Sequence, residues 1–302
     1  MQRRTPGVES SANLNFDGVK AADTVVIDLA SLATNLEEAE PGFWVSKSRS
    51  PVSYPDSGNE WCARVEESSF WFRHRSRCVN ELVRRHPPGG PIFDIGGGNG
   101  FMARGLEEAG WTSILVEPGP AGARHGWARG LRPVVCATAA DAGFRPGSLR
   151  AAGLFDVLEH QRDEADFLGV LRECLAPLGR LYLTVPALPV LWSIDDDMAG
   201  HQRRYTRRSV SKTLMSAGFR VEVATYIFAP LPLPLLLFRT LPSALGLRTS
   251  ADIEAAGREH EVSARPAGRI LDHLLGAELR RVMRGRAMPF GTSCLVAATR
   301  RS

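Results

Sequence analysis

The run Phe93-Asp94-Ile95-Gly96-Gly97-Gly98-Asn99-Gly100 constrains this chain more than any other stretch. Each glycine inside a regular helix would cost about 1 kcal/mol relative to alanine, so four glycines in five positions mark a turn. A short apolar segment, Pro91 to Ile95, precedes it. A stretch of helical spacing, Phe101 to Ala109, follows and ends at Gly110. A strand that turns into a helix through bare backbone lets a ligand press against main chain. The dinucleotide fingerprint G-x-G-x-x-G would need its third glycine where Phe101 stands. The spacing here is D-x-G-x-G-x-G. Glu117 closes the next apolar run, Ser113 to Glu117. A carboxylate at that point suits two ribose hydroxyls, because one anion accepts both bonds.

The strand-helix alternation continues. Val134 to Ala137 reads as a third strand and Ala151 to Phe155 as a fourth. Asp163 to Leu175 is an amphipathic helix that Pro177-Leu178-Gly179 closes, and Arg180 to Val185 is a fifth strand. Arg207 to Ala217 is a helix stopped by Gly218, and Phe219 to Phe228 is a sixth strand. Helices are expected near Ala251–Glu261 and Ala267–Arg284, then a last strand over Ser293 to Thr299. Strands alternating with helices imply a parallel sheet with right-handed crossovers.

These residues resemble class I S-adenosylmethionine-dependent methyltransferases. FDIGGGNG and the turn VEPG carry the likeness. LFDVLEH (Leu154 to His160), APLGRLYLTVP (Ala176 to Pro186), LWSIDDDMAGHQRRYT (Leu191 to Thr206) and SAGF (Ser216 to Phe219) extend it over residues 60–228. PFGTSCLVAATR (Pro289 to Arg300) is similar to the family's final antiparallel strand. The likeness implies an α/β, doubly wound, Rossmann-like sheet of seven strands, ordered 3-2-1-4-5-7-6, with the last strand antiparallel. It implies S-adenosyl-L-methionine as cofactor. Gly96, Gly98 and Gly100, with Gly97 between them, would cradle its methionine end, and Asp94 would stand behind. Glu117 would bind the ribose, and Asp156 would lie near the methionine moiety or the acceptor. Two positions depart from the pattern. After the third strand only Asp141 offers an acid for the adenine amine, and Leu149-Arg150 stand where many relatives begin the fourth strand with Phe-Asp.

Methyl transfer requires an aligned nucleophile, exclusion of water and, for a hydroxyl, removal of a proton. In such a sheet the site lies beyond the carboxyl ends of the strands. Three groups map there: Asp156, Glu159 and His160; Asp196, His201, Arg203, Arg204 and Tyr205; and the aromatic-basic stretch Ser69 to Arg75, with Phe72 and His74, as a cap. His201 is the leading base and His160 the second, since imidazole titrates near neutral pH. Each is also readable as a hydrogen-bonded structural histidine. Arg203 and Arg204 could grip a phosphate or carboxylate, or pair with Asp195 to Asp197. Phe70-Trp71-Phe72 is readable as core or as a substrate platform. No other ligand spacing accompanies the three aspartates, so no metal is expected.

The expected reaction moves a methyl group to a small-molecule or lipid- or glycan-linked acceptor, on oxygen ahead of carbon or nitrogen. The rivals are a nicotinamide-dependent oxidoreductase, which the missing third glycine disfavours, and a non-catalytic scaffold with the same fold. A nucleic-acid partner is not expected. Many base-modifying relatives carry an asparagine-proline-proline-aromatic tetrad where this chain has Asp156-Val157-Leu158-Glu159.

Composition bears on the partner. The 302 residues carry a net charge of +4. Residues 1–40 hold three basic and seven acidic groups, so the excess of arginine belongs to the remainder. Five widely spaced cysteines without a C-x-x-C suit free thiols in a reducing, cytoplasmic setting. The N-terminus lacks the apolar run of a secretory signal. Tyr226 to Phe238 is apolar but short, and three prolines interrupt it. It could pack internally or form a lip for peripheral contact with a membrane. The expected organisation is a tail over 1–40, a cap segment over 41–88, the cofactor-binding core over 89–228, a helical insertion over 229–288 and the last strand over 289–302.

Overall fold

The computed structural model describes residues 27–48, 62–63, 65–247 and 266–302. The expected helix near Ala251–Glu261 lies outside them.

The glycine run sits between β3 (Ile92–Ile95) and α3 (Phe101–Glu108). The other core strands are β4 (Ser113–Val116), β5 (Val134–Cys136), β6 (Leu149–Phe155), β7 (Leu175–Pro186), β8 (Phe219–Ile227) and β9 (Ser293–Arg300). Their order is β5-β4-β3-β6-β7-β9-β8, and β9 is antiparallel to both neighbours. This is the expected seven-strand arrangement.

Two strands extend it. β1 (Leu36–Glu40) and β2 (Phe43–Ser46) form a hairpin, and β2 pairs in parallel with β5. The sheet therefore has nine strands. The expected tail and cap boundaries meet a different arrangement here. Residues 29–46 supply α1 (Leu29–Leu32) and this sheet edge. Leu29, Leu36 and Phe43 are buried, and that apolar area holds the hairpin down. The low hydropathy of the surrounding segment masked three core positions. Pro177-Leu178-Gly179 is also not a helix end. α6 (Glu164–Cys174) stops earlier, and β7 pairs with β6 from Leu175 onward.

Side chains alternate across the sheet, as the pleat requires. Phe93, Ile95, Leu181, Leu183 and Val185 point to one face, under α6 and α8 (Arg207–Ser216). Ile92, Tyr182, Leu295 and Ala297 point to the other, under α2 (Phe70–Arg85), α3 and α11 (Pro266–Met283). α4 (Pro120–Ala128) packs beside α3 through Ala123, and the single turn α5 (Ala139–Ala142) follows β5.

α2 binds the insertion to the core. Trp71 stacks on Phe228 with centroids 3.9 Å apart. Phe228 has φ +61°, a strained value for an aromatic residue. Glu278 of α11 holds it there. Its buried carboxylate accepts the N–H groups of Phe228 and Ala229 at 2.6 Å each, and it meets Nε2 of His74 at 2.8 Å. Removing that carboxylate strands one buried and one part-buried donor, the buried one costing about 1–3 kcal/mol. Glu278→Ala should therefore lose about 1–3 kcal/mol or more in urea unfolding. A change within about 0.5 kcal/mol, the range of surface substitutions, would show that the clasp carries no stability.

Candidate functional site

The glycine loop is packed as tightly as its sequence suggests. A Cβ on Gly97 would come within 2.6 Å of Oδ2 of Asp94 and of Leu115 Cδ1. Gly100 has φ +75°, and a Cβ there would come within 2.5 Å of Leu131 Cδ1. Behind the loop, Asp94 is fully buried, and neither carboxylate oxygen has a hydrogen-bond partner. Burial pushes its pKa up to about 7 against the opposing pull of Arg75. Glu117 lies just beyond β4. Its Oε2 accepts from Gly98 N at 2.8 Å and its Oε1 from Gly119 N at 2.7 Å. It thus fixes the loop through both carboxylate oxygens.

Asn99 anchors the far side. Its amide donates to Glu66 Oε1 at 3.2 Å, and its Oδ1 meets His125 Nδ1 at 2.9 Å. Arg129 completes the group on Glu66 Oε2 at 2.8 Å. Burial raises the Glu66 pKa, against the pull of Arg129. The segment before α2 is in this way tied across the loop, which sequence reasoning did not foresee.

Beyond β6 and β7 lies a cavity of about 450 Å³. Asp156 ends β6 in the left-handed region, at φ +60°. Its Oδ2 pairs with Arg75, and its Oδ1 accepts from Thr184 Oγ1 at 2.9 Å. After β7, Ser193 and Asp196 form a capping box at the start of α7 (Ile194–Ala199). Asp196 Oδ2 accepts from Ser193 N at 3.0 Å. Its Oδ1 accepts from His201 Nδ1 at 2.7 Å and from Arg204 Nε at 2.8 Å. Burial works against the Asp196 anion, but these donors outweigh it and hold its pKa low. Asp156, Asp196, His201 and Arg204 all line the cavity, as does Glu159.

The remaining expected positions are placed as follows. His160 stands edge to face with His201, their rings 4.9 Å apart. Burial and that neighbour push its pKa down to about 4, so it is neutral. Arg203 and Tyr205 do not line the cavity. Arg203 pairs with Glu164 Oε2 at 2.8 Å, and the Tyr205 hydroxyl donates to Glu164 Oε1 at 2.5 Å. The two arginines therefore diverge and do not form one anion grip. His74 is buried against Glu278. Phe72 packs edge-on to Phe101 and lies under the Arg75 guanidinium. The aromatics of α2 that do line the cavity are its neighbours Phe70 and Trp71. The three aspartates are engaged by neighbouring groups, Asp195 also by Arg239 at 3.8 Å. Asp195 accepts from Ser193 Oγ at 3.0 Å, and Asp197 accepts from Trp192 Nε1 at 3.1 Å.

Arg75 was not singled out by sequence, though a signal existed. It lies four positions after Trp71 and four before Val79, on the apolar stripe of α2. A cation on a buried stripe needs an anionic partner, and here that partner is Asp156.

Comparison with known proteins agrees with this geometry. The sequence profile of methyltransferase domains matches residues 68–223, more than half of the chain. No curated protein matches by sequence. Among solved structures, the chain is similar to one from the complex between the Haloferax volcanii Trm112 methyltransferase activator and a methyltransferase. The TM-score is 0.54 at 17% identity, over 83% of this chain and 98% of that one. It is also similar to Haemonchus contortus phosphoethanolamine N-methyltransferase 2, solved with phosphomonomethylethanolamine and S-adenosylhomocysteine. There the TM-score is 0.51 at 16% identity, over 83% of this chain and 58% of that one. At such identities the structures bear on the fold, and the profile supplies the family. The chain belongs to the methyltransferase-domain family, the class I S-adenosylmethionine-dependent enzymes that its glycine loop resembles.

Proposed function

We propose that this protein transfers a methyl group from S-adenosylmethionine to a hydroxyl oxygen of an apolar, lipid-linked acceptor. The observation that carries this reading is the cavity beyond β6 and β7. It joins a carboxylate-anchored imidazole to an apolar wall that continues onto an exposed surface.

The residues present fit the cofactor. The glycine loop offers bare main chain, Asp94 offers a buried carboxyl without a hydrogen-bond partner, and Glu117 ends the adjacent strand. Gly96, Gly97, Gly98 and Gly100 would hold the methionine end, Asp94 would face its cationic group and Glu117 the ribose. When bound, the cofactor supplies an electrophilic methyl group on sulfur.

The protein supplies alignment and proton removal. His201 Nδ1 donates to Asp196, which leaves Nε2 of the neutral ring as the lone-pair nitrogen. An amine acceptor brings its own lone pair, whereas a hydroxyl needs its proton taken. A histidine oriented by a buried carboxylate therefore favours oxygen. Asp156, held by Arg75 and Thr184, stands between the glycine loop and the acceptor side. Thr292 and Ser293 also line the cavity, with hydroxyls that have no hydrogen-bond partner.

The apolar wall comes from the proline-rich run. α9 (Pro232–Leu235) continues through a π turn (Leu236–Thr240) into α10 (Leu241–Ala244). Leu231, Pro234, Leu235 and Phe238 face the cavity. Leu233 is 63% exposed, Phe238 75% and Leu245 71%. No helix among the described residues is long and apolar enough to cross a membrane. An apolar face of this kind at a cavity mouth suits a substrate drawn from a lipid surface.

Three outcomes are expected. With methyl-labelled cofactor and a cellular lipid extract, label should enter the organic phase. His201→Ala should cut that rate by about 10²–10⁴ while cofactor affinity stays unchanged. Unaltered turnover sinks the assignment of His201, and absence of label in every fraction sinks the enzyme reading. Cofactor affinity should fall as pH drops through about 7, because a cationic ligand favours ionised Asp94 and must then displace its proton. Asp94→Asn should flatten that dependence; an equally steep profile in the variant assigns the proton elsewhere. Finally, the protein should sediment with lipid vesicles at low salt. The double variant Leu233→Ser, Leu245→Ser, which leaves the cavity lining intact, should not. Equal sedimentation of the two forms rules out the lip.

A further inference from the structure

Glu159 poses a problem that methyl transfer alone does not solve. Its side chain is completely buried, and neither carboxylate oxygen has a hydrogen-bond partner. Buried carboxylates are normally paired, hydrogen-bonded or bound to a cation. The two cations whose charge reaches it are committed elsewhere, Arg75 to Asp156 and Arg204 to Asp196.

Two imidazoles converge on this carboxylate. One donor atom each from Glu159, His160 and His201 lies within 4.8 Å of the other two. His201 is oriented as histidine ligands usually are. Its Nδ1–H is held by the Asp196 carboxylate at 2.7 Å, so the opposite nitrogen carries the lone pair. Asp196 is itself fixed by Arg204 and by the N–H of Ser193. The two loops that bring the donors together are joined by a backbone bond. Gln202 N–H donates to the Glu159 carbonyl at 2.7 Å. Glu159 and His160 come from the 3-10 turn Leu158–His160 after β6, and His201 from the loop after α7. His201 is thus distant in sequence from the adjacent Glu159 and His160, which is why ligand spacing gave no warning of the group.

We propose that Glu159, His160 and His201 bind one divalent transition-metal ion, with an open coordination position toward the acceptor cavity. Two imidazole nitrogens and one carboxylate oxygen suit zinc, manganese or iron(II). Magnesium and calcium prefer oxygen alone. The open position follows from placement, since Glu159 and His201 line the cavity. A second grouping, His74, Cys78 and Glu278, is fully buried, and both Glu278 oxygens are taken by backbone N–H groups. It needs no ion.

The use of the ion rests on the oxygen-methylation reading, while its binding does not. A cation lowers the pKa of a hydroxyl bound to it. In the ion-bound protein the acceptor's proton would leave from that hydroxyl to solvent, and His201 would act as a ligand where the ion-free site uses it as a base.

The test uses the untagged full chain, stripped with a chelator. Zinc is titrated by calorimetry and manganese by electron paramagnetic resonance. One ion per chain is expected. Glu159→Gln and His160→Ala should each weaken binding tenfold or more, and Asp196→Asn should weaken it by about 10–100-fold through His201. Cys78→Ser should retain the full affinity. Cofactor titration of every variant reports on its folding separately. Absence of an ion on the wild-type chain, or an unchanged affinity in Glu159→Gln, overturns the proposal and leaves methyl transfer standing. An ion bound with the expected losses, yet no label passed to any acceptor, supports the ion and defeats the oxygen-methylation reading.

Discussion

The guanidinium of Arg75 is the contact on which both halves of the site depend. It pairs with Asp156, and its positive charge also reaches Asp94, Glu159 and Glu66. Asp94, Asp156 and Glu159 beside the ends of parallel strands, with Glu66 before α2, would otherwise repel one another in a medium that screens poorly. The charge comes from α2, outside the glycine loop and outside the strand ends it stabilises. Desolvation still dominates at Asp94 and Glu159, since both remain raised with Arg75 in place. One cation reduces the strain of these acids but cannot satisfy all of them.

That places unusual weight on how α2 is held. Its apolar stripe packs Cys78, Val79, Leu82 and Val83 against the sheet. Its first turn stacks Trp71 on Phe228, and its His74 meets Glu278 of α11. The same Trp71 lines the cavity beyond β6 and β7. Packing of the insertion, placement of Arg75 and the shape of the cavity therefore share one helix. A change that loosens α11 should be felt at Asp156 through α2, although no side chain of α11 approaches the strand ends as a lining residue.

Much of this was legible in the sequence, for physical reasons that differ by element. The core strands read clearly because buried parallel strands are continuous apolar runs, as in Ile92–Ile95 and Leu149–Phe155. The glycine loop read clearly because its backbone tolerates no side chain. The hairpin Leu36–Ser46 did not. An edge strand with Glu37 and Glu38 exposed carries too little apolar signal to distinguish it from a tail. The LEH and GHQRRY segments announced chemistry but not its distribution. Nothing in the local pattern says that Arg204 turns to Asp196 while Arg203 turns to Glu164. That divergence depends on α6, which presents Glu164 to one arginine only, and such a contact has no sequence period.

The loop after β7 shows how little freedom this leaves the His201 imidazole. Asp196 uses one oxygen to cap α7 and the other to hold His201 and Arg204. The same carboxylate thus sets the helix start, the imidazole tautomer and the arginine direction. Arg204 is secured a second time by the Ala187 carbonyl at 3.0 Å, and Ala187 bridges to Tyr205 beside the end of β7. An imidazole held this firmly cannot swing to meet an acceptor. The same cavity that His201 lines is lined by the apolar run from Leu231 to Phe238, whose Leu233, Leu237 and Phe238 are exposed. On the proposed reading, specificity is a property of that wall and reactivity a property of the loop that fixes His201.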